Sequence, residues 1–490
     1  MRAISRPSIC VKLATTDLII LIGYLAAMVA FGVWMGRRQN TAADFMVGGR
    51  DFPWWVILFS IVATETSTVS FLSVPGIAWG SDWTFLQLPL GYIVGRLVVV
   101  SLLMPRFFRG QVFTAYEVLN ERFGGWVRRV ASLLFVVTRT LGDGLRLFLS
   151  AIVLWKVVGI EMEYAVVCLG LATIFYTFTG GMRAVLWTDA VQFIVYMTGA
   201  GIALLVLLGQ IDGGISQVFE LANAADKLKT IDSGFDLVTP YLFWTGLFGG
   251  AVFAIGTHGV DQMMVQRYLC ARNQRDASLA LGLSGPVVLL QFAFFLLIGT
   301  ALYAFYLQNP PAVPFGSGDG DKVFASFMVD HLPVGVLGIV LGAVFSAAMS
   351  TLSSSLNSSA TALVNDVYMP PDRAGVDDAA RLKAAKICTV LFGVAQILVG
   401  IGGRYLDDSV IGSVLGIQSF TTGIILGVFF LGIFTRRVDQ RAALVGLLVG
   451  LLVMSGVKFG TDLAWPWFAL VGSTTTFLFG VLASLVLPRR

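Results

Sequence analysis

Thirteen apolar stretches, separated by short polar breaks, fill most of the chain: 17–36, 53–79, 84–108, 127–158, 163–180, 184–210, 240–266, 277–307, 333–367, 382–402, 409–434, 441–459 and 464–487. Each is near or above the roughly 20 residues that a helix needs to cross a bilayer. Hydrocarbon offers no partner to a bare backbone amide, so a spanning segment is a helix or part of a closed barrel. A barrel would show short strands of alternating polarity, and the sequence has none. The pattern predicts an all-α integral membrane protein of about thirteen transmembrane helices.

Composition agrees. Of 490 residues, 57% are hydrophobic and only 13% charged, against roughly 25% charged in a soluble domain. That excludes an ordinary soluble enzyme, a disordered chain and a nucleic-acid binder. Four cysteines (Cys10, Cys168, Cys270, Cys388) lack metal-ligand spacing and read as buried, inert thiols. Residues 17–36 lack a small-residue cleavage site, so they are expected to remain as a span.

Charge sets the orientation. Of 33 Lys and Arg, 21 fall in one set of alternate loops, nine in the other, and Arg96, Arg139 and Arg146 lie inside spans. The richer set is expected in the cytoplasm, which puts the N-terminus outside and the C-terminus inside. The longest loops, 211–239 and 308–332, are then external, with room for short surface helices or lids. The whole of 1–490 reads as one polytopic membrane domain.

In such a chain the polar residues carry the information. Residues 60–70 hold Ser60, Thr64, Glu65, Thr66, Ser67, Thr68 and Ser70, followed by Pro75-Gly76. Small residues before Pro-Gly suit a helix that breaks in mid-membrane, and a break frees carbonyls that can replace the hydration shell of a cation. A packing seam would explain the hydroxyls but not Glu65. In the ninth span Ser350, Ser353, Ser354 and Asn357 share one helix face. Neutral hydroxyls and carbonyls suit a hard monovalent ion such as sodium. Asp189 is either an intramembrane functional carboxylate or a helix cap. The glycine-rich run from Gly249 to Gly259, with His258 and Asp261, fits a second broken helix; His258 alone reads equally as a hydrogen-bonded core histidine. Arg139, Asp143 and Arg146 share a face of the fourth span, so Asp143 can pair with either arginine; the group reads equally as a self-contained ion-pair network or as leaving one arginine over for an anionic solute. No nucleophile elbow, phosphate loop or metal-ligand spacing is present, so the chain is not expected to be an enzyme.

These residues resemble the sodium/solute symporter family. The resemblance rests on Tyr176-Thr177-Phe178-Thr179-Gly180-Gly181-Met182-Arg183-Ala184 followed by Trp187-Thr188-Asp189, on the Ser350–Asn357 run ending Asn365-Asp366-Val367-Tyr368, and on Gln266-Arg267-Tyr268-Leu269. It covers nearly the whole chain. It implies a LeuT-type fold of five helices and five inverted helices, with 53–210 as the first repeat and 240–434 as the second. Residues 17–36 would be an extra N-terminal helix and 441–487 two C-terminal ones. Carried over by motif, the main sodium site would use the carbonyls of Ala63, Thr66 and Ala347 and the hydroxyls of Ser350 and Thr351. A second sodium, held by some members, would match Asp189, Ser350, Ser353 and Ser354. The solute would lie near Glu65, Ser67, Ser70, Gln87, Asp261 and Gln418, with Arg139, Arg146 and His258 as further candidates.

The expected function is sodium-coupled import of a small polar organic solute (organic acid, sialic acid, amino acid or sugar-like) by alternating access, with Na+ the coupling ion and no other cofactor. The Glu-Gln pair of sugar-transporting members is replaced by Val69-Ser70, which disfavours simple hexoses. Partners are expected to be solute, sodium and lipid, with no nucleic acid, and one chain is expected to suffice for transport. The expected location is the plasma membrane, such as a bacterial inner membrane. Alternatives are a proton-coupled transporter working through Glu65 or Asp261, a channel, and a sensor on a transporter fold.

Overall fold

The computed structural model describes residues 13–488 apart from 38–40, 111, 317, 371–376 and 406–409. Cys10 and several cations of the charge count (Arg2, Arg6, Lys12, Arg38, Arg373, Arg489 and Arg490) lie outside the described residues. The described chain is helical. Its only β feature is an isolated bridge between Phe52 and Ala271.

Helix α1 (Thr15–Gly36) precedes a bent pair, α2 (Trp54–Glu65) and α3 (Thr68–Gly80), which meet at 63°. There follow α4 (Thr84–Phe107), α5 (Gly125–Val158) and α6 (Met162–Gly209). At 48 residues α6 is long enough to cross twice. Gly181 interrupts it at φ 49°, ψ −158°, a backbone state that glycine adopts without strain. The fifth and sixth apolar stretches therefore join at one residue rather than through a loop. A second interrupted helix, α7 (Gly250–Gly259) and α8 (Gln262–Leu269), opens the second half. Then come α9 (Gln274–Gln308), α10 (Val336–Ala362), α11 (Asp378–Gly402), α12 (Val410–Phe434), α13 (Gln440–Gly460) and α14 (Pro466–Val486). Short helices at Gly214–Ala224 and Gly320–His331 occupy the two longest loops, as expected.

Among the described residues nine helices are individually long and apolar enough to cross a membrane, or ten with the bent pair as one span. The bundle has a buried centre and a lipid-like rim. Helix α10 is buried along nearly its whole length and packs mainly on α6, α5 and α1. The bent pair packs on α6 and α9, and α7 packs on α4 and α12. Close approach sets some of these crossings: a Cβ at Gly299 of α9 would lie 2.0 Å from the Pro75 carbonyl of α3. Helix α1 braces α10. The Asp17 carboxylate accepts the amides of Gly335 and Gly338 at 2.7 and 2.8 Å, satisfying the start of α10. Cys270 and Cys388 are buried, but Cys168 is exposed on α6, against expectation. Its i, i+3 and i+4 neighbours include the outward-facing Leu171, so this face of the helix looks away from the core.

Candidate functional site

The first helix breaks at Thr66 (φ −90°, ψ 95°) and Ser67 (φ −90°, ψ 174°). The helical ladder stops there. Thr66 N still donates to Val62 O at 3.0 Å, and the ladder resumes with Phe71 N donating to Ser67 O at 3.0 Å. The carbonyls of residues 63–66 are thereby released from helical pairing. Pro75 does not make the break; it sits inside α3, nine residues downstream. A proline removes only its own N–H and crowds the turn before it, so it cannot release carbonyls nine residues earlier.

Helix α10 faces the break. Thr351 Oγ1 lies 3.2 Å from the Thr64 carbonyl and 3.4 Å from that of Ala347. Ala63, Thr66, Ala347, Ser350 and Thr351 are all buried, so the two segments named from the sequence do meet. Thr66 is steadied from the other side by Gln291 Nε2, which donates to its Oγ1 at 2.6 Å and to Tyr196 OH at 3.3 Å. This donor set is carbonyl and hydroxyl oxygen without a carboxylate, the chemistry of a weakly held monovalent cation.

Beside it lies the Asp189 cluster. Asp189 is fully buried within α6 and caps nothing. It accepts from Ser60 Oγ at 2.5 Å, Ser350 Oγ at 2.7 Å, Thr64 Oγ1 at 3.3 Å and Arg267 Nη2 at 3.1 Å. The Arg267 guanidinium also donates to Ser354 Oγ, to Thr64 Oγ1 and, through Nε at 2.9 Å, to Ser60 Oγ. Ser353 and Ser354 turn their hydroxyls back to the Ser350 carbonyl at 3.2 and 2.7 Å. The cluster read as a second cation site is thus filled, in this conformation, by a cation belonging to the chain.

On the other side of the break is a cavity lined by Thr64, Glu65, Ser67, Ser70, Arg146 and Gln418, with an apolar wall from Val69, Phe85, Leu88, Phe253, Met263, Met264 and Phe292. Arg146 donates to Asp143 and, at 3.1 Å, to Gln418 Oε1, while its Nε has no partner. Glu65 is ion-paired with the fully buried Arg96. Behind that pair His258 bridges Arg96 (3.1 Å) and Tyr268 OH (3.0 Å).

Four sequence candidates fall elsewhere. Gln87 is fastened to the external segment, donating to Tyr241 O at 2.8 Å and accepting from Asp232 N at 3.0 Å. His258 is a core residue of the Glu65 network and does not line the cavity. Asp261 caps α8, accepting from Met263 N at 2.9 Å, and pairs with Arg139. Arg139 and Asp261 line a neighbouring cavity together with Tyr116 and, again, Arg146 and Gln418. Of the two readings of this face, the ion-pair network is what forms: Asp143 contacts Arg146 and, at 3.8 Å, Arg139, and Asp261 pairs with Arg139, while Arg146 keeps an unpartnered Nε. Two carboxylates balance two guanidiniums. Arg96, Arg267 and Gln291 were not singled out as site residues. Arg267 lay within the Gln266–Leu269 motif without a role, and for Arg96 and Gln291 the sequence signal was a polar residue in an apolar run.

Comparison with known proteins places the chain. Residues 45–450 match the family described as "Sodium:solute symporter family". The chain belongs to the sodium:solute symporter family. It is therefore a sodium-coupled membrane transporter with Na+ as coupling ion, not an enzyme. Among curated members, the sodium/sialic acid symporter SiaT of Proteus mirabilis (strain HI4320) is 31% identical, covering 96% of this chain and 95% of that one. The human sodium/iodide cotransporter is 29% identical over 90% of this chain and 69% of its own. A solved Na+-coupled sialic acid symporter, described as substrate-bound and outward-open, superposes with TM-score 0.88 at 28% identity, covering 97% and 98% of the two chains. A nucleobase-cation-symport-1 family transporter shares the fold alone, with TM-score 0.59, 13% identity and 91% and 94% coverage. The symporter fold here is the LeuT type, and the chain is a multi-pass membrane protein whose partners are solute, sodium and lipid.

Proposed function

We propose that this symporter imports a small organic solute bearing a carboxylate, bound between the break of α2–α3 and helix α5, and driven by sodium held between the same break and α10. The contact that carries the reading is Thr351 Oγ1 on the released Thr64 carbonyl at 3.2 Å. Sodium takes the carbonyls of Ala63, Thr66 and Ala347 and the hydroxyls of Ser350 and Thr351. A second sodium joins Asp189, Ser350, Ser353 and Ser354 only in a conformation where Arg267 has withdrawn from Ser354. The solute carboxylate meets Arg146, the one cavity cation with an unpartnered donor. Ser67, Ser70 and Gln418 supply hydroxyl and amide contacts, and the Phe and Met wall takes the carbon skeleton. The relatives named for sialic acid are in keeping with an acidic solute. Glu65, neutralised by Arg96, orients polar groups without adding net charge.

The architecture supports thirteen crossings. To the ten, the halves of α6 add one, the charged α5 another, and the interrupted α7–α8 a third. Residues 53–210 and 240–434 are then two inverted repeats, each opened by a broken helix. The charge bias sets the N-terminus outside and the C-terminus in the cytoplasm. One chain contains every site residue, so a monomer suffices. Alternating access follows if sodium and solute favour different states to different degrees. One sodium with a monoanionic solute moves no net charge, so the membrane potential drives uptake only when the second sodium joins; the one net charge then moving down 100 mV contributes about 2.3 kcal/mol, enough for roughly 50-fold accumulation.

The test is thermal stabilisation of purified protein by a panel of carboxylic acids and their amides, with sodium or potassium. A ligand at 100 times its Kd adds about 2.7 kcal/mol. The expected pattern is stabilisation by an acid, not its amide, only in sodium. Equal responses to acid and amide would remove the carboxylate reading.

A further inference from the structure

At the end of the bundle where the arginine-rich loops lie, two adjoining clefts share one residue, Arg183. One is walled by Phe52, Trp55, Trp187 and Arg272, the other by Trp34 and Arg37. No carboxylate lies within ion-pair distance of Arg37 or Arg183 among the described residues. The Arg183 guanidinium lies over the Phe52 ring, 5.9 Å from its centroid. Arg272 meets Asp51 at 3.3 Å, but both are mostly exposed, and such pairs contribute little. Trp34 and Trp55 are 57% and 39% exposed, and Trp55 and Trp187 stand edge to face at 5.6 Å. The site thus has three guanidiniums against one carboxylate, framed by indoles at the ends of spanning helices. Tryptophan at that depth marks the boundary between headgroup and acyl chain, and arginine binds phosphate oxygens in a fixed fork.

We propose that this double cleft binds one anionic phospholipid, its phosphate on Arg183 between Arg37 and Arg272 and its acyl chains along Trp34 and Trp55. The placement gives the lipid leverage. Phe52 precedes the first broken helix, and its backbone pairs with the segment after the second, Phe52 N donating to Cys270 O at 3.1 Å and Arg272 N to Phe52 O at 3.3 Å. Arg183 follows the Gly181 break in α6 by two residues. A lipid spanning Arg183 and Arg272 ties these elements together at one point. The inference is independent of which solute is carried.

The probe is phosphatidylglycerol added to delipidated protein in detergent, with phosphatidylcholine and inorganic phosphate as controls, read as the midpoint of thermal unfolding. Phosphatidylglycerol is expected to raise the midpoint saturably, and the controls are not. Near a membrane surface each cation contributes about 1 kcal/mol, or about five-fold. The Arg37→Gln/Arg183→Gln variant should then need about 25-fold more phosphatidylglycerol, and Arg183→Gln alone about five-fold more. The proposal is overturned if the variants titrate like the wild type, if phosphatidylcholine works as well, or if inorganic phosphate alone reproduces the shift. Should both variants fail to fold, native mass spectrometry of the wild type decides: retention of phosphatidylglycerol over phosphatidylcholine supports the site, and equal retention overturns it.

Discussion

Thr351→Ala isolates the proposed sodium site. The hydroxyl sits 3.2 Å from the released Thr64 carbonyl and belongs to the neutral oxygen cage. Removing it deletes one proposed ligand of the ion. It also removes a neutral hydrogen bond, which contributes about 1 kcal/mol to folding. Contacts to a charged partner contribute more, about 1.5–3 kcal/mol, so sodium should bind roughly 10- to 150-fold more weakly. The assay is the sodium concentration for half-maximal uptake in proteoliposomes at a clamped potential, paired with unfolding midpoints without sodium. Thr351→Ala should shift the sodium curve by that factor at near-normal maximal rate, and Thr351→Ser, which keeps the oxygen, should shift it little. An unchanged curve for Thr351→Ala in folded protein would refute the assignment. So would a Thr351→Ser protein as impaired as the alanine variant, because the methyl group and not the oxygen would then matter.

Three further outcomes follow from the charged groups. Arg146→Gln should weaken the solute at least ten-fold while leaving sodium-induced thermal stabilisation intact, checked by the same midpoint measurement with each ligand. Asp189→Asn strands the buried Arg267 guanidinium and should cost about 3–5 kcal/mol; Asp189→Asn with Arg267→Gln should recover much of that loss in denaturation assays. Outside the spans, burial pushes the Glu117 carboxyl up from 4.5 to about 7, against the opposing pull of nearby backbone amides, Arg128 and Arg50. The folded chain then holds a proton that the unfolded chain has released. This stabilisation is complete below pH 4.5 and lost as pH rises through 7. It amounts to about 3 kcal/mol, and Glu117→Gln should flatten that part of the midpoint-against-pH curve.

The span pattern was legible because lipid leaves a chain only helices or a closed barrel and the sequence lacks a barrel's alternation, and the broken helices showed as polar residues within apolar stretches. What sustains the first break was less legible. Pro75-Gly76 lies nine residues past the break, which falls at Thr66 and Ser67 and is held by Gln291, donating to the Thr66 hydroxyl, and by the next residue, Thr68, which accepts from Ser150 and donates to the Val344 carbonyl of α10. Such support is long-range and has no local spacing. The same holds for charge pairing. Asp143 and its two arginines were readable at i, i+3 and i+4, but the Arg139–Asp261 and Arg267–Asp189 pairs span 122 and 78 residues. Those partners decided which arginine faces the cavity and which candidates are locked into the core.

Coupling in this architecture follows from how little chain separates the two ligands. The Thr64 carbonyl meets Thr351 of α10, whereas Glu65, Ser67 and Ser70 line the proposed solute cavity. An ion held at the proposed site would fix this stretch of backbone and with it where the neighbouring side chains point, so sodium binding there would supply ordering that the solute otherwise has to bear. Linkage makes the effect reciprocal: whatever factor sodium adds to solute affinity, solute adds to sodium affinity. The Glu65–Arg96–His258–Tyr268 chain extends this hinge to both arms of the second broken helix, since His258 ends α7 and Tyr268 lies on α8. Because Arg96 is fully buried with two unpartnered nitrogens, the pair with Glu65 tolerates little movement. The chain of contacts therefore links the first break to the second, a condition for the two halves to open and close together rather than leak.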